Sequence, residues 1–221
     1  MSDFFDCSDA PQRERGLAAA QVALSGGRLV VLPTDTVYGL AADAFTPAAV
    51  AALLALKGRG RDMPVPVLVG SWQTIEGLTT SVPDEARALV EAFWPGPLTL
   101  VVHAAPSLAW DLGDSRGTVA VRMPLHPVAL DLLVRTGPLA VSSANRTGEA
   151  PATDAAAARS QLGDGVAVYL DGGPAGEPVP STIVDVTGLR GGGSARLLRA
   201  GALSLDRLRT ILPEVEAADS V

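Results

Sequence analysis

Residues 28–38 read RLVVLPTDTVY. A short run, Leu29-Val30-Val31-Leu32, is apolar at every position, which is the pattern of a strand buried on both faces rather than of a surface strand that alternates. Pro33 ends it, and the polar segment Thr34-Asp35-Thr36 follows at the carboxyl end of that strand, where open α/β sheets commonly bind ligands. The eleven residues therefore predict a strand over Arg28 to Leu32 inside a helix-covered sheet, with a candidate site at its end.

Upstream, residues 13 to 25 carry Leu17, Val22 and Leu24 among alanines and stop at Gly26-Gly27, as a helix does. Downstream, Pro47 to Lys57 reads as a helix with an Ala/Leu face leading into Lys57-Gly58-Arg59-Gly60-Arg61. Further helices are expected over Pro83 to Phe93, with Asp84 and Glu85 suited to its amino end, over Pro127 to Arg135, over Thr153 to Gln161 with Thr153 as cap, and over Ser204 to Leu212. Strands are expected over Pro64 to Val69, Leu98 to His103, Thr118 to Arg122, Pro138 to Ser142, Val166 to Leu170, Thr182 to Val186 and Ala195 to Arg199. Helices and strands alternate irregularly, which predicts an α/β fold with a mixed sheet. Residues 1–12 read as a mobile amino-terminal segment, 13–213 as a single domain and 214–221 as a short tail; Gly188 to Gly193 is the best candidate for a flexible loop.

Composition narrows the function. With 221 residues, 48% hydrophobic and 4% aromatic, the core is built from Ala, Val and Leu. A net charge of −7 argues against broad electrostatic binding to nucleic acid. The single Cys7 forms no intrachain disulfide, residues 1–12 lack the pattern of a signal peptide and no apolar run is long enough to span a membrane, so the chain reads as cytoplasmic. One Cys and two His cannot supply the four ligands of a structural zinc site. His103 and His126 read as structural, and Asp35 and Asp185 as weak metal candidates at strand ends. No GxxxxGK[ST] and no GxGxxG motif is present.

Two residue counts are unusual. Sixteen arginines accompany one lysine, Lys57, and the only asparagine is Asn145. Arg replaces Lys freely on a solvated surface but not where a compact ammonium must meet an anion, so a sole Lys is a candidate for chemistry. Five polar segments gather at predicted element ends: Thr34 to Tyr38, Lys57 to Asp62, Arg122, Ser142 to Arg146, and Ser181-Thr182 with Arg199. Separately each has a plain explanation as a turn, a cap or a surface charge. Together they offer ammonium, guanidinium, hydroxyl and amide groups, the equipment for holding an anion and stabilising phosphoryl transfer.

The blocks LPTDTVYGLAADA, KGRGRDMP, WPGPLTLVV, TVAVRMPLHP, SSANRTGEAPAT, STIVDV and LLRAG occur in the order found in the YrdC-like family. Over residues 14 to about 213 the chain resembles most closely the short, single-domain bacterial threonylcarbamoyl-adenylate synthases. The resemblance implies a twisted mixed sheet with flanking helices surrounding a large positively charged cavity. It also implies conversion of L-threonine, bicarbonate or CO2, and ATP to threonylcarbamoyl-AMP and pyrophosphate, with Mg2+ accompanying ATP. The product would pass to a downstream tRNA threonylcarbamoyl transferase complex. By the family pattern Thr36, Arg122, Ser143 and Ser181 hold threonine, while Arg59, Thr118, Asn145, Thr153 and Arg199 bind the nucleotide. Lys57, Arg59, Ser143 and Asn145 match the KxR and SxN signature and are the catalytic candidates. Two departures from KxRPxxNP stand out: Gly60 replaces the proline and Met63 the asparagine. The readings that compete with this one are a paralogous YrdC-like protein with another acceptor, and a non-catalytic RNA-binding or ribosome-maturation module.

Overall fold

The apolar run at residues 29–32 becomes β2 (Val30–Leu32), buried throughout. A computed structural model describes residues 2–177 and 179–217. In it β2 lies between β8 (Val168–Asp171), parallel, and β3 (Gly39–Asp43), antiparallel. Alternate side chains enter different cores, as the two-residue period of a strand requires. Val30 and Leu32 pack under α1 (Ala10–Ser25) and α5 (Pro127–Thr136), whereas Val31 joins the larger core that includes α2 (Pro47–Lys57) and α6 (Ala155–Leu162).

The remaining strands are β1 (Asp3–Asp6), β4 (Val67–Leu68), β5 (Leu98–His103), β6 (Thr118–Arg122), β7 (Leu139–Ser143), β9 (Thr182–Asp185) and β10 (Arg196–Arg199), and two helices, α3 (Thr74–Leu78) and α4 (Asp84–Phe93), connect β4 to β5. Among the described residues they form one ten-stranded sheet in the order β1-β8-β2-β3-β7-β4-β6-β5-β9-β10, with parallel and antiparallel pairs mixed. Seven strand spacings separate β8 from β9 in that order, about 34 Å on a flat sheet. The ten intervening residues, 172–181, reach only about 33–36 Å when fully extended. The twist of a large mixed sheet brings its two ends closer. This short connection then borders the strand ends that carry the polar segments, bonding to Thr153 O through Ala175 N at 2.6 Å.

Several expectations are corrected. Asp3–Asp6, within the segment read as mobile, pairs in parallel with β8, while Phe5 packs against Gly16 of α1. The tail contributes to the sheet edge, with Val215 buried and Glu216 bridging Arg196; residues 218–221 lie outside the described residues. Thr187–Gly191, in the glycine-rich stretch, is a 3-10 turn, and Gly193 N–H closes on Gly188 O at 3.0 Å. The last helix, α7 (Leu205–Arg209), is shorter than expected, though Ser204 does cap it.

Asp154, not Thr153, caps α6: its carboxylate accepts from Ala157 N at 2.6 Å. A carboxylate at this position also meets the positive end of the helix dipole. Asp154→Ala is therefore expected to cost about 1 kcal/mol of stability, read from urea midpoints, whereas Thr153→Ala leaves them unchanged.

Candidate functional site

α2 ends in a tight turn at Gly58, whose φ of +64° lies in the left-handed region that glycine tolerates. Gly58 N–H bonds to Ala55 O at 3.0 Å and Arg59 N–H to Leu54 O at 2.9 Å, the paired bonds that close a helix carboxyl end. The turn aims Lys57 and Arg59 at the end of β7. Lys57 is 4% exposed. Its Nζ donates to Ser143 O at 2.5 Å and Asn145 O at 2.6 Å, with a longer contact to Asn145 Oδ1 at 3.4 Å. The sole lysine and the sole asparagine thus meet. Arg59 donates from a terminal nitrogen to Ser142 Oγ at 3.2 Å, and its buried Nε has no partner among the described residues. A buried unpaired N–H within a cluster of cations fits an anion acceptor supplied by a ligand.

Asn145 is less free than the sequence implied. Its Nδ2 donates to Arg146 O at 3.0 Å and Glu149 O at 2.7 Å, which uses both amide hydrogens. In this geometry it shapes the 143–149 loop and presents its oxygen to Lys57, rather than directing a donor at a nucleotide. Ser143 is half-buried and its carbonyl, rather than its hydroxyl, engages Lys57.

Arg122, at the end of β6, is 6% exposed and donates three ways: Nε to Gly96 O at 3.0 Å, and the two terminal nitrogens to Thr36 Oγ1 at 2.9 Å and Asp35 Oδ1 at 2.5 Å. A guanidinium has five N–H groups, so one on each terminal nitrogen remains for a ligand. Thr36 is fixed in turn by Thr34, whose Oγ1 accepts from Thr36 N at 3.2 Å and donates to Val37 O at 2.6 Å. Tyr38 OH anchors the same loop to the end of β8, donating to Gly173 O at 2.5 Å and accepting from Gly172 N at 3.0 Å. On the other side Arg199 forks onto Ser181 O at 3.0 and 2.7 Å, and Ser181 Oγ pairs with Thr99 Oγ1 at 2.8 Å.

Four cations therefore gather in one cluster, Lys57 beside Arg59 and Arg199 beside both Arg59 and Arg122. Burial lowers the pKa of Arg59, Arg122 and Arg199, and Arg199 is lowered further by Arg122 and Arg59. Burial first, then Arg59, pushes Lys57 down to about 8. Between about 8 and its ordinary 10.5, the unfolded chain holds the Lys57 proton more tightly than the folded one. Stability from this residue therefore rises with pH across that window. Urea unfolding of wild type and Lys57→Met at pH 7 to 10 is expected to shift in favour of the wild type as pH rises; a constant difference contradicts the assignment.

Thr118 and Thr153 stand apart from this cluster. Thr118, at the far end of β6 from Arg122, donates to Ser115 O at 2.7 Å and lines a cavity of about 210 Å3 with Pro64, Val65, Leu112 and Leu198. Thr153 is exposed, and its hydroxyl bonds none of the other candidates. Ser142, which began a polar segment without an assigned role, is the partner of Arg59, and Thr99, missed in the sequence, is the partner of Ser181; its position at a strand end was the available signal. The two aspartates, weak metal candidates in the sequence, are engaged by the protein itself. Asp35 is committed to Arg122 and to Leu125 N at 2.9 Å, and Asp185 to the backbone and hydroxyl of Thr187. No three acidic, His or Cys side chains gather as a metal site among the described residues. His126 is structural as expected, its Nδ1 accepting from Val128 N at 3.3 Å to cap α5.

A mixed sheet whose strand ends gather a buried lysine and arginines defines an α/β protein with a concentrated cationic site. The Sua5/YciO/YrdC family model, described as "Telomere recombination", matches residues 22–201, and the chain belongs to that family. A Mycobacterium tuberculosis protein provisionally named a threonylcarbamoyl-AMP synthase is 61% identical over 212 residues, covering 96% of each chain. The threonylcarbamoyl-AMP synthase of Bacillus subtilis is 35% identical over 89% of this chain and 56% of its own. Pyrococcus abyssi Sua5, solved in complex with L-threonine, superposes with a TM-score of 0.90 at 32% identity, covering 100% of this chain and 65% of that one. Escherichia coli YciO, at 22% identity over 94% of this chain and 100% of its own and a TM-score of 0.82, shares the fold.

Proposed function

We infer that this chain is a threonylcarbamoyl-AMP synthase, joining L-threonine, bicarbonate or CO2, and ATP into threonylcarbamoyl-AMP and pyrophosphate for the modification of tRNA. The observation that carries the reading is the clustering of Lys57, Arg59, Arg122 and Arg199, in a chain 61% identical to a relative bearing that name.

The chemistry needs such a cleft. Threonine's amine takes up CO2 to give a carbamate, whose oxygen attacks the α-phosphorus of ATP while pyrophosphate leaves. Two anions must be brought together, and fixed cations in a partly dry site oppose their repulsion more strongly than water does. Arg122 offers its two unused N–H groups to the amino acid's carboxylate, beside Thr36, Ser143 and Ser181. Arg59, with its unpaired Nε, and Arg199 stand on the phosphate side. Lys57 secures the 143–149 loop and adds charge where the leaving group develops it.

The nucleoside is assigned to the cavity bordered by Thr118, Pro64 and Leu198, whose apolar walls suit a base. Met63, 40% exposed, replaces the family asparagine at its approach. Arg61 ties that loop down through a two-pronged ion pair to Asp111 at 2.8 and 2.9 Å, which offsets the freedom that Gly60 introduces. Magnesium is proposed to arrive with ATP, because among the described residues no three acidic, His or Cys side chains gather to hold a resident ion.

No helix among the described residues is long and apolar enough to cross a membrane; a cytoplasmic location and delivery of the product to a tRNA threonylcarbamoyl transferase complex complete the reading. Purified protein with ATP, magnesium and bicarbonate is expected to release pyrophosphate only when L-threonine is added. Equal release without it would remove the amino acid from the reaction.

A further inference from the structure

Among the described residues, Asp35 is the one carboxylate in a salt bridge with the cation cluster. Only one of its oxygens is used: Oδ1 accepts from both Arg122 and Leu125 N, whereas Oδ2 accepts nothing from any described residue. The side chain is 13% exposed, and Oδ2 is not among the buried polar atoms lacking a partner, so this oxygen is open to solvent. The spare acceptor therefore lies on the same carboxylate that bonds Arg122, whose terminal nitrogens retain spare donors.

An α-amino acid carries its carboxylate and its ammonium on a single carbon. A receptor for it needs a cation and an anion side by side, with a free donor on the first and a free acceptor on the second. The Arg122–Asp35 pair has that composition, and Thr36 Oγ1 touches Arg122 at 2.9 Å next to it. Were Asp35 present only to neutralise Arg122, both carboxylate oxygens could face the guanidinium, as those of Asp111 face Arg61. Instead one oxygen is turned away.

We propose that Asp35 Oδ2 binds the α-ammonium of the amino-acid substrate, so that Arg122 and Asp35 read the two ends of a zwitterion. The inference rests on the synthase reading and deepens it: Asp35 is a substrate-binding residue that fixes the nitrogen at which the carbamate is built. It also gives the cleft a reason to refuse simple carboxylic acids, which would satisfy Arg122 but leave Asp35 desolvated and unpaired.

The test pairs a change in the ligand with a change in the protein. Binding of L-threonine and of (R)-3-hydroxybutanoate, the same molecule without its amine, is measured by titration calorimetry on wild type and on Asp35→Asn. Asn keeps one oxygen for Leu125 N and Arg122 but replaces the other with an NH2 donor, so both the charge and the spare acceptor are removed. Wild type is expected to prefer threonine by about 10- to 10²-fold, the range of a hydrogen bond to a charged group. In Asp35→Asn the preference is expected to fall to within about threefold. A variant that weakens both ligands equally and keeps the preference would make Asp35 structural and overturn the proposal. So would a wild type that binds both ligands alike, a result independent of whether the variant folds. Wild type that binds neither ligand and forms no threonine-dependent product would instead overturn the synthase reading, and the proposal with it.

Discussion

Lys57→Ala is expected to lower turnover by about 10²-fold or more, the loss seen when one preorganised transition-state donor is removed. Two effects add in the same direction. The cleft loses a positive charge opposite the developing negative charge of the phosphoryl group. The 143–149 loop also loses its clamp, since the Nζ bonds to Ser143 O and Asn145 O at 2.5 and 2.6 Å vanish together. Two inward-facing carbonyls left without a donor cost about 1–3 kcal/mol of stability as well. Lys57→Arg is not expected to rescue the rate: a planar fork cannot place its donors on three oxygens around one nitrogen as an ammonium does. Initial rates of pyrophosphate release and urea unfolding of both variants check the two halves. Near-normal turnover in Lys57→Ala would remove the residue from the chemistry.

Arg122→Ala is expected to be the most destabilising single change in the cleft. Arg122 and Asp35 are 7% and 13% exposed as side chains. Removing the guanidinium strands a carboxylate that keeps only Leu125 N, at a cost of about 3–5 kcal/mol. Threonine-dependent turnover disappears with it. The double variant Arg122→Ala with Asp35→Ala is expected to recover part of the stability, because no uncompensated charge remains, and none of the turnover. Chemical denaturation of wild type, the two single variants and the double variant yields the coupling between the residues. Additive losses would show that the pair is not a unit.

How far the sequence led can be judged from particular elements. β5 and β6 fall on the expected Leu98 to His103 and Thr118 to Arg122, and α2 on Pro47 to Lys57, because β-branched runs and alanine-leucine runs bounded by proline or glycine carry strong local signals. β3 was missed. Its sequence, GLAAD, holds no β-branched residue, and Gly39 is required because a Cβ there would sit 2.6 Å from Val141 Cγ1. β1 was missed because a parallel pairing to a strand some 165 positions away leaves no local trace.

The site shows the same division. Scarcity of lysine and asparagine and the polar ends of strands located Lys57, Arg59, Arg122, Ser181 and Arg199. What those side chains bond to was not legible. Asp35 looked like a weak metal ligand until its partner Arg122, 87 positions later, stood beside it. Asn145 looked like a nucleotide donor until its hydrogens were found on Arg146 O and Glu149 O.

The central claim is that one carbon from bicarbonate is placed between threonine and AMP. Incubating the purified protein with ATP, magnesium, L-threonine and carbon-13 bicarbonate, and weighing the adenylate formed, tests it directly. The account predicts threonylcarbamoyl-AMP heavier by one mass unit than the product made from ordinary bicarbonate, formed one for one with pyrophosphate. An adenylate of threonine that lacks the added carbon, or pyrophosphate release with no threonine in the product, would contradict it.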